Sequence, residues 1–175
     1  MEQDLIKCDI DILCIAEPYI VKEHVVGFPK DYLKIYKQGS HRAAIILRTE
    51  FKFVPILITR DILAINLEIE NVNMLFVSIY CLPSEEIDPL LSELGKLLEQ
   101  FKVKMIVIIG DFNVKSPAWS PVEQDKCGKT LLEFIYKLDI DIQNNPDSPP
   151  TFESSRGKSW IDLTRKKKYQ ERHDH

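Results

Sequence analysis

Glycine, cysteine and tryptophan are scarce in this chain: six, four and two respectively in 175 residues. So little glycine excludes collagen-like and low-complexity classes. The four cysteines, Cys8, Cys14, Cys81 and Cys127, have no close pairs, which argues against a disulfide framework or a zinc site. Cys14 and Cys81 fall inside or at the end of apolar stretches, so they read as reduced, structural thiols of an intracellular protein, nuclear or cytoplasmic. No apolar run is long enough to cross a membrane, and the opening residues, with Glu2 and Asp4, do not form a secretory leader. An excess of positive charge is also missing. With 23 Lys and Arg against 27 Asp and Glu, the formal net charge is −4, which disfavours a protein that coats nucleic acid but leaves room for a local basic patch.

What remains is the composition of a folded globular domain, 45% hydrophobic and 29% charged, at a length that suits a single core. Short apolar runs at 11–16, 43–47, 54–58, 63–69, 74–80 and 104–109 read as strands, with Asn71-Val72-Asn73 as a hairpin turn. Ile87, Leu90, Leu91, Leu94, Leu97, Leu98 and Phe101 recur at three- and four-residue steps, which predicts an amphipathic helix over 87–101. Asp88 and Pro89 suit its cap and first position, with Ser84 as an alternative start. A second helix is expected over about 128–138, with Leu131, Leu132, Phe134, Ile135 and Leu138 inward. The proline-rich stretch 145–150 reads as a loop before a short strand. These elements predict a mixed α/β fold with polar loops gathered at one rim.

The most informative stretch is Ile108-Ile109-Gly110-Asp111-Phe112-Asn113-Val114-Lys115-Ser116-Pro117. A strand dense in β-branched residues stops at a glycine that lets the chain leave it, placing Asp111 and Asn113 at its carboxyl end, where open α/β sheets hold ligands. A carboxylate two residues before an amide can hold an attacking water and a hard cation or a phosphoryl oxygen. The plainer reading is an Asx-rich turn that caps the strand. Glu17 before Pro18 admits the same choice between function and strand termination, and Tyr80 between a functional phenol and a core aromatic. Asp162, between Trp160 and Leu163, is harder to read as structure, because an unpaired buried carboxylate is costly. His24 and His41 show no ligand spacing.

Five blocks in order, Cys14-Ile15-Ala16-Glu17-Pro18, Val77-Ser78-Ile79-Tyr80-Cys81-Leu82-Pro83, Gly110-Asp111-Phe112-Asn113, Pro150-Thr151-Phe152 and Lys158-Ser159-Trp160-Ile161-Asp162-Leu163, resemble the endonuclease/exonuclease/phosphatase superfamily. Within it, Asn113-Val114-Lys115-Ser116-Pro117-Ala118-Trp119 followed by Gly128-Lys129-Thr130-Leu131-Leu132-Glu133-Phe134 is similar to the apurinic-like endonuclease domains of non-LTR retrotransposons. The resemblance implies a four-layer α/β sandwich of two packed mixed sheets with outer helices. It implies a Mg²⁺-dependent DNA endonuclease, with Mn²⁺ as a substitute. Glu17 would hold the metal, Asp111 would orient or deprotonate the water, Asn113 would steady the phosphate and Tyr80 would donate from its phenol. Asp162 would orient a catalytic histidine. DNA is the implied partner, with a reverse transcriptase domain in a longer parent polyprotein, and no membrane; nothing in the pattern specifies an oligomer.

Two features depart from the family pattern. Nothing before Asp11 resembles the strand that brings an asparagine to the metal, and after Leu163 no Ser-Asp-His block follows; the one Asp-His pair is Asp174-His175. The domain is therefore expected over 1–164, without the family's first and last strands, and 165–175 as a basic, disordered tail. Arg156 and Lys158 are candidate DNA contacts beside the late block, and the other basic residues of the end read equally as a solvated run. The alternative function is a decayed or repurposed remnant of such a domain without catalysis. A phosphatase acting on a small phosphate ester is a third reading.

Overall fold

Alternation of side chains along buried strands organises this protein, seen in a computed structural model that describes residues 7–101, 103, 105–121, 123–145, 147, 152–154, 157–159 and 162–168, the last three segments as backbone only. Strand β1 is Ile12–Ala16, β2 Ile20–Val21, β3 His24–Val25, β4 Tyr32–Tyr36, β5 Ala43–Arg48, β6 Phe53–Ile58, β7 Ile62–Ile69 and β8 Val72–Tyr80. Helix α1 (Ile87–Gln100), β9 (Met105–Asp111), α2 (Lys126–Lys137), β10 (Asp141–Ile142), β11 (Phe152–Ser154), β12 (Gly157–Ser159) and β13 (Asp162–Lys168) follow.

The central sheet has six strands in the order β10-β13-β9-β8-β7-β6. Pairing is antiparallel except where α1 carries the chain across, leaving β8 and β9 parallel. The β7–β8 hairpin turns at Glu70 and Asn71, whose φ angles of 50° and 63° give the left-handed pair that a two-residue turn requires. The turn thus comes one residue earlier than Asn71-Val72-Asn73 suggests, because Val72 already pairs with Ile69. A smaller sheet, β1-β5-β4, is antiparallel throughout.

On β7, Ile62 and Ala64 join the cluster that contains Leu91, Leu94 and Leu98 of α1 and Leu131 and Ile135 of α2. The alternate residues Leu63, Ile65 and Leu67 pack instead on Ile35, Ile45 and Leu47 of the smaller sheet. A strand buried on both faces needs apolar residues at every position, and this double burial makes β7 the middle of the sandwich. The fold is therefore the expected α/β sandwich of two packed sheets. Among the described residues both long helices lie on the outer face of the larger sheet, and Val25 of β3 packs with Tyr32 and Ile46 of the smaller one.

Helix α1 buries Ile87, Leu91, Leu94, Leu97 and Leu98. Its N-cap is Glu86, whose side chain makes no capping bond, so Asp88 and Pro89 lie within the first turn rather than at its edge. The carboxylate of Asp88 still meets the positive end of the helix dipole. Helix α2 begins at Lys126, two residues before the expected Gly128, because Asp125 caps it by accepting from the amide of Gly128 at 2.6 Å.

Strand β13 runs past residue 164, where the sequence suggests a tail. Arg165, Lys166, Lys167 and Lys168 belong to β13 and pair with Ile108, Val107, Ile106 and Met105 of β9. Pairing draws on backbone donors and acceptors, and the free side of β9 offers a full row of them, so a basic run is extended into the sheet. Residues 169–175, with Asp174-His175, lie outside the described residues.

Candidate active site

Gly110 does not break β9; the strand continues through Asp111. The glycine answers a different demand, since a Cβ there would meet the carbonyl oxygen of Ile79 at 2.0 Å. Absence of a side chain lets β8 and β9 lie close where their carboxyl ends reach the rim. The chain leaves the strand at Asn113 instead, with φ of 50°, a left-handed conformation that asparagine tolerates better than most residues. Its backbone N–H donates to Asp111 Oδ1 at 2.9 Å and its side-chain amide donates to the Cys81 carbonyl at 2.9 Å. The Asx turn foreseen as the plain alternative is thus present, and it also anchors Asn113 to the end of β8.

Register assembles three expected residues into one row. Tyr80 of β8 pairs with Asp111 of β9, and Asp111 pairs with Asp162 of β13. The first two side chains and the backbone of the third are therefore neighbours across adjacent strands. Glu17 comes from the other sheet, one residue past β1, and is exposed. Its φ of 48° is an uncommon, strained conformation for a glutamate, and its N–H donates to the Arg42 carbonyl at 2.7 Å.

The phenol of Tyr80 joins these two halves. The residue is buried, with 4% of its surface exposed. Burial first, then the Glu17 carboxylate as acceptor and the charges of Glu17 and Asp111, push the phenol up to about 12, with the Arg42 cation opposing them. Tyr80 is consequently a protonated donor at neutral pH, not a phenolate nucleophile.

Four further charged residues, with no sequence signal, complete this rim. Arg42 donates to both carboxylate oxygens of Asp61, at 2.5 and 2.8 Å, and reaches Glu85 at 3.2 Å. Its guanidinium carbon stands 5.3 Å from the centre of the Tyr80 ring. Arg60 pairs with Asp61 at 2.9 Å and Glu85 at 3.1 Å. Burial opposes the charge on Asp61, but Arg42 and Arg60 outweigh it and hold the carboxyl below its usual range. Beside Tyr80 the same network opens on a pocket of about 360 Å³, lined by Arg60, Asp61, Tyr80, Cys81, Glu85 and Glu93 among others.

The remaining candidates are less defined. Lys158 lies on β12 opposite Glu153 of β11, while Arg156 lies outside the described residues. Among the described residues no group of three or more His, Cys, Asp or Glu is arranged to hold a metal ion. Glu17 and Asp111 do supply two hard oxygen donors around one phenol, and a small divalent cation that keeps most of its waters asks for one or two carboxylates. The donor set therefore fits such an ion.

Comparison with known proteins places the fold. The structure is similar to the endonuclease domain of TRAS1, a telomere-specific non-LTR retrotransposon, with a TM-score of 0.82 and 24% identity, covering 94% of this chain and 75% of that one. It is also similar to an endonuclease/exonuclease/phosphatase family protein from Leptotrichia buccalis, at a TM-score of 0.63 and 15% identity, covering 94% and 78%. A 3′ phosphatase from Neisseria, NExo, bound to a product DNA hairpin, matches at 0.59 and 15% identity, covering 93% and 79%. No curated protein sequence matches the chain. The fold is thus that of the endonuclease/exonuclease/phosphatase enzymes. The profile of the endonuclease-reverse transcriptase family matches residues 74–174, more than half of the sequence, and the chain belongs to that family.

Proposed function

We propose that this protein is a Mg²⁺-dependent endonuclease that nicks DNA, the target-cutting domain of a non-LTR retrotransposon, in which a reverse transcriptase would belong to the same parent polyprotein. The observation that carries the reading is the convergence of Glu17 and Asp111, from two different sheets, on the protonated phenol of Tyr80. Hydrolysis of a phosphodiester forms a bond from water oxygen to phosphorus and breaks the bond to the 3′-oxygen, so charge grows on the phosphoryl oxygens and the leaving group.

Each residue has a part in that change. Glu17 would hold the cation, with Asp111 as the second carboxylate facing it; when bound it would supply Lewis-acid neutralisation of the phosphoryl charge, and Mn²⁺ would serve as a substitute. Asp111 orients the water and takes its proton. Asn113 spends one amide hydrogen on the Cys81 carbonyl, and its second amide hydrogen serves a phosphoryl oxygen. Tyr80 donates to a phosphoryl oxygen or to the departing 3′-oxygen. Asp162 lies beside Asp111 in the ladder, at the position from which the family resemblance implies that a histidine is oriented. Arg156 and Lys158 contact the DNA backbone, a contribution that weakens with salt.

The test is nicking of supercoiled plasmid by the purified chain with Mg²⁺, run beside EDTA and Asp111→Ala. Relaxed circles that disappear in both controls support the reading. A folded protein that leaves the plasmid supercoiled would instead be the non-catalytic remnant, and release of phosphate from a small ester without nicking would make it a phosphatase.

A further inference from the structure

We propose that Arg42 is the positioning residue of this site, holding Glu17 through its backbone and Tyr80 through its side chain, with Asp61 as the clamp that fixes Arg42. The inference rests on the endonuclease reading for its effect on rate, but its geometry stands apart from it. Arg42 precedes β5 of the smaller sheet, whereas Asp61 immediately precedes β7 and Tyr80 ends β8 of the larger one. The Arg42 carbonyl accepts from the Glu17 N–H at 2.7 Å, which secures a left-handed glutamate that local preference would not hold. Its guanidinium lies over the Tyr80 ring, and the Tyr80 N–H donates to the Asp61 carbonyl at 2.9 Å. One arginine and one aspartate therefore grip both the main chain and the ring of Tyr80.

The energetics argue against a purely structural ion pair. Side-chain exposure is 18% for Arg42 and 15% for Asp61, so both charges are largely withdrawn from water. Such pairs are often replaced by apolar residues without loss of stability, so stability alone does not account for this one. The bidentate fork sets the guanidinium plane in a way that no lysine can, Arg60 binds the same Asp61 carboxylate from outside, and Glu85 accepts from both arginines. A rigid plane beside the ring keeps the phenol facing Glu17 instead of turning into the adjoining pocket.

The experiment uses the full chain labelled with 3-fluorotyrosine, with the Tyr80 ¹⁹F resonance assigned from Tyr80→Phe, in wild type, Asp61→Asn and Arg42→Lys. Asp61→Asn removes one charge of the clamp and leaves Glu17, Tyr80 and Asp111 untouched. Arg42→Lys keeps the positive charge but loses the fork. The expected result in both is a shifted and broadened Tyr80 resonance. Nicking should fall about tenfold or more in kcat, because catalysis is sensitive to small misplacements, with KM for plasmid within about twofold. An unchanged resonance, or kcat falling only in proportion to the folded fraction, would overturn the proposal. Should Asp61→Asn fail to fold, Arg42→Lys and the exposed-edge variant Glu85→Gln carry the same readouts. If wild type does not nick, the endonuclease reading fails, and the ¹⁹F response alone decides whether Arg42 positions the phenol.

Discussion

Burial and the Glu17 carboxylate favour the protonated phenol of Tyr80 in the folded protein, up to about 12. In the unfolded chain a tyrosine ionises at about 10. Between these values the unfolded state binds fewer protons, so the stability this group contributes is complete below the lower pH and is lost as pH rises through the upper one. The urea midpoint of wild type is expected to fall more steeply than that of Tyr80→Phe between about pH 10 and about pH 12. Parallel curves would show that the phenol is not held as described. At this scale the sequence was informative where chemistry has its own vocabulary. Glu17, Tyr80, Asp111 and Asn113 stand at ends of apolar runs, and an abrupt polar residue there is visible in one dimension. Arg42, Asp61 and Glu85 are not, since their partners lie 19 and 43 positions apart and an ion pair formed by folding leaves no spacing rule.

The two helices start in different ways, and that contrast can be measured. Asp125 accepts from the amides of Gly128 at 2.6 Å and Lys115 at 3.0 Å, tying the start of α2 to the loop that leaves Asn113. Asp125→Ala is expected to cost about 2 kcal/mol, the upper end for a cap, because both amides lose their acceptor. Glu86→Ala, at the uncapped start of α1, is expected to change stability by less than about 0.5 kcal/mol. Equilibrium unfolding in urea of both variants checks the pair; equal losses would refute the assignment of caps. Helix periodicity and double-buried strands such as β7 were legible because each residue's burial follows from its neighbours. β4 escaped because Lys34 interrupts a short run whose apolar residues, Tyr32 and Ile35, pack into two different clusters. The strand nature of 165–168 escaped because four consecutive basic residues say nothing about an unfilled edge on β9.

The site exists only when the two sheets are docked, since Glu17 follows β1 of the smaller sheet and Asp111 closes β9 of the larger one. Either sheet alone offers half of the oxygen donors. A cation that needs both carboxylates binds the native state and not the unfolded chain, so binding and folding are linked. At a hundred times the dissociation constant, that linkage adds about 2.7 kcal/mol, enough to raise the melting temperature of a chain this size by roughly 5–10 °C. Mg²⁺ is expected to raise Tm in wild type, EDTA to reverse the rise, and Glu17→Gln and Asp111→Asn each to abolish it whether or not the protein nicks DNA. A rise that survives both substitutions would locate the ion elsewhere. No rise at saturating Mg²⁺ in the folded wild type would remove the metal from this rim and leave Tyr80, Asp111 and Asn113 as a polar junction between strands.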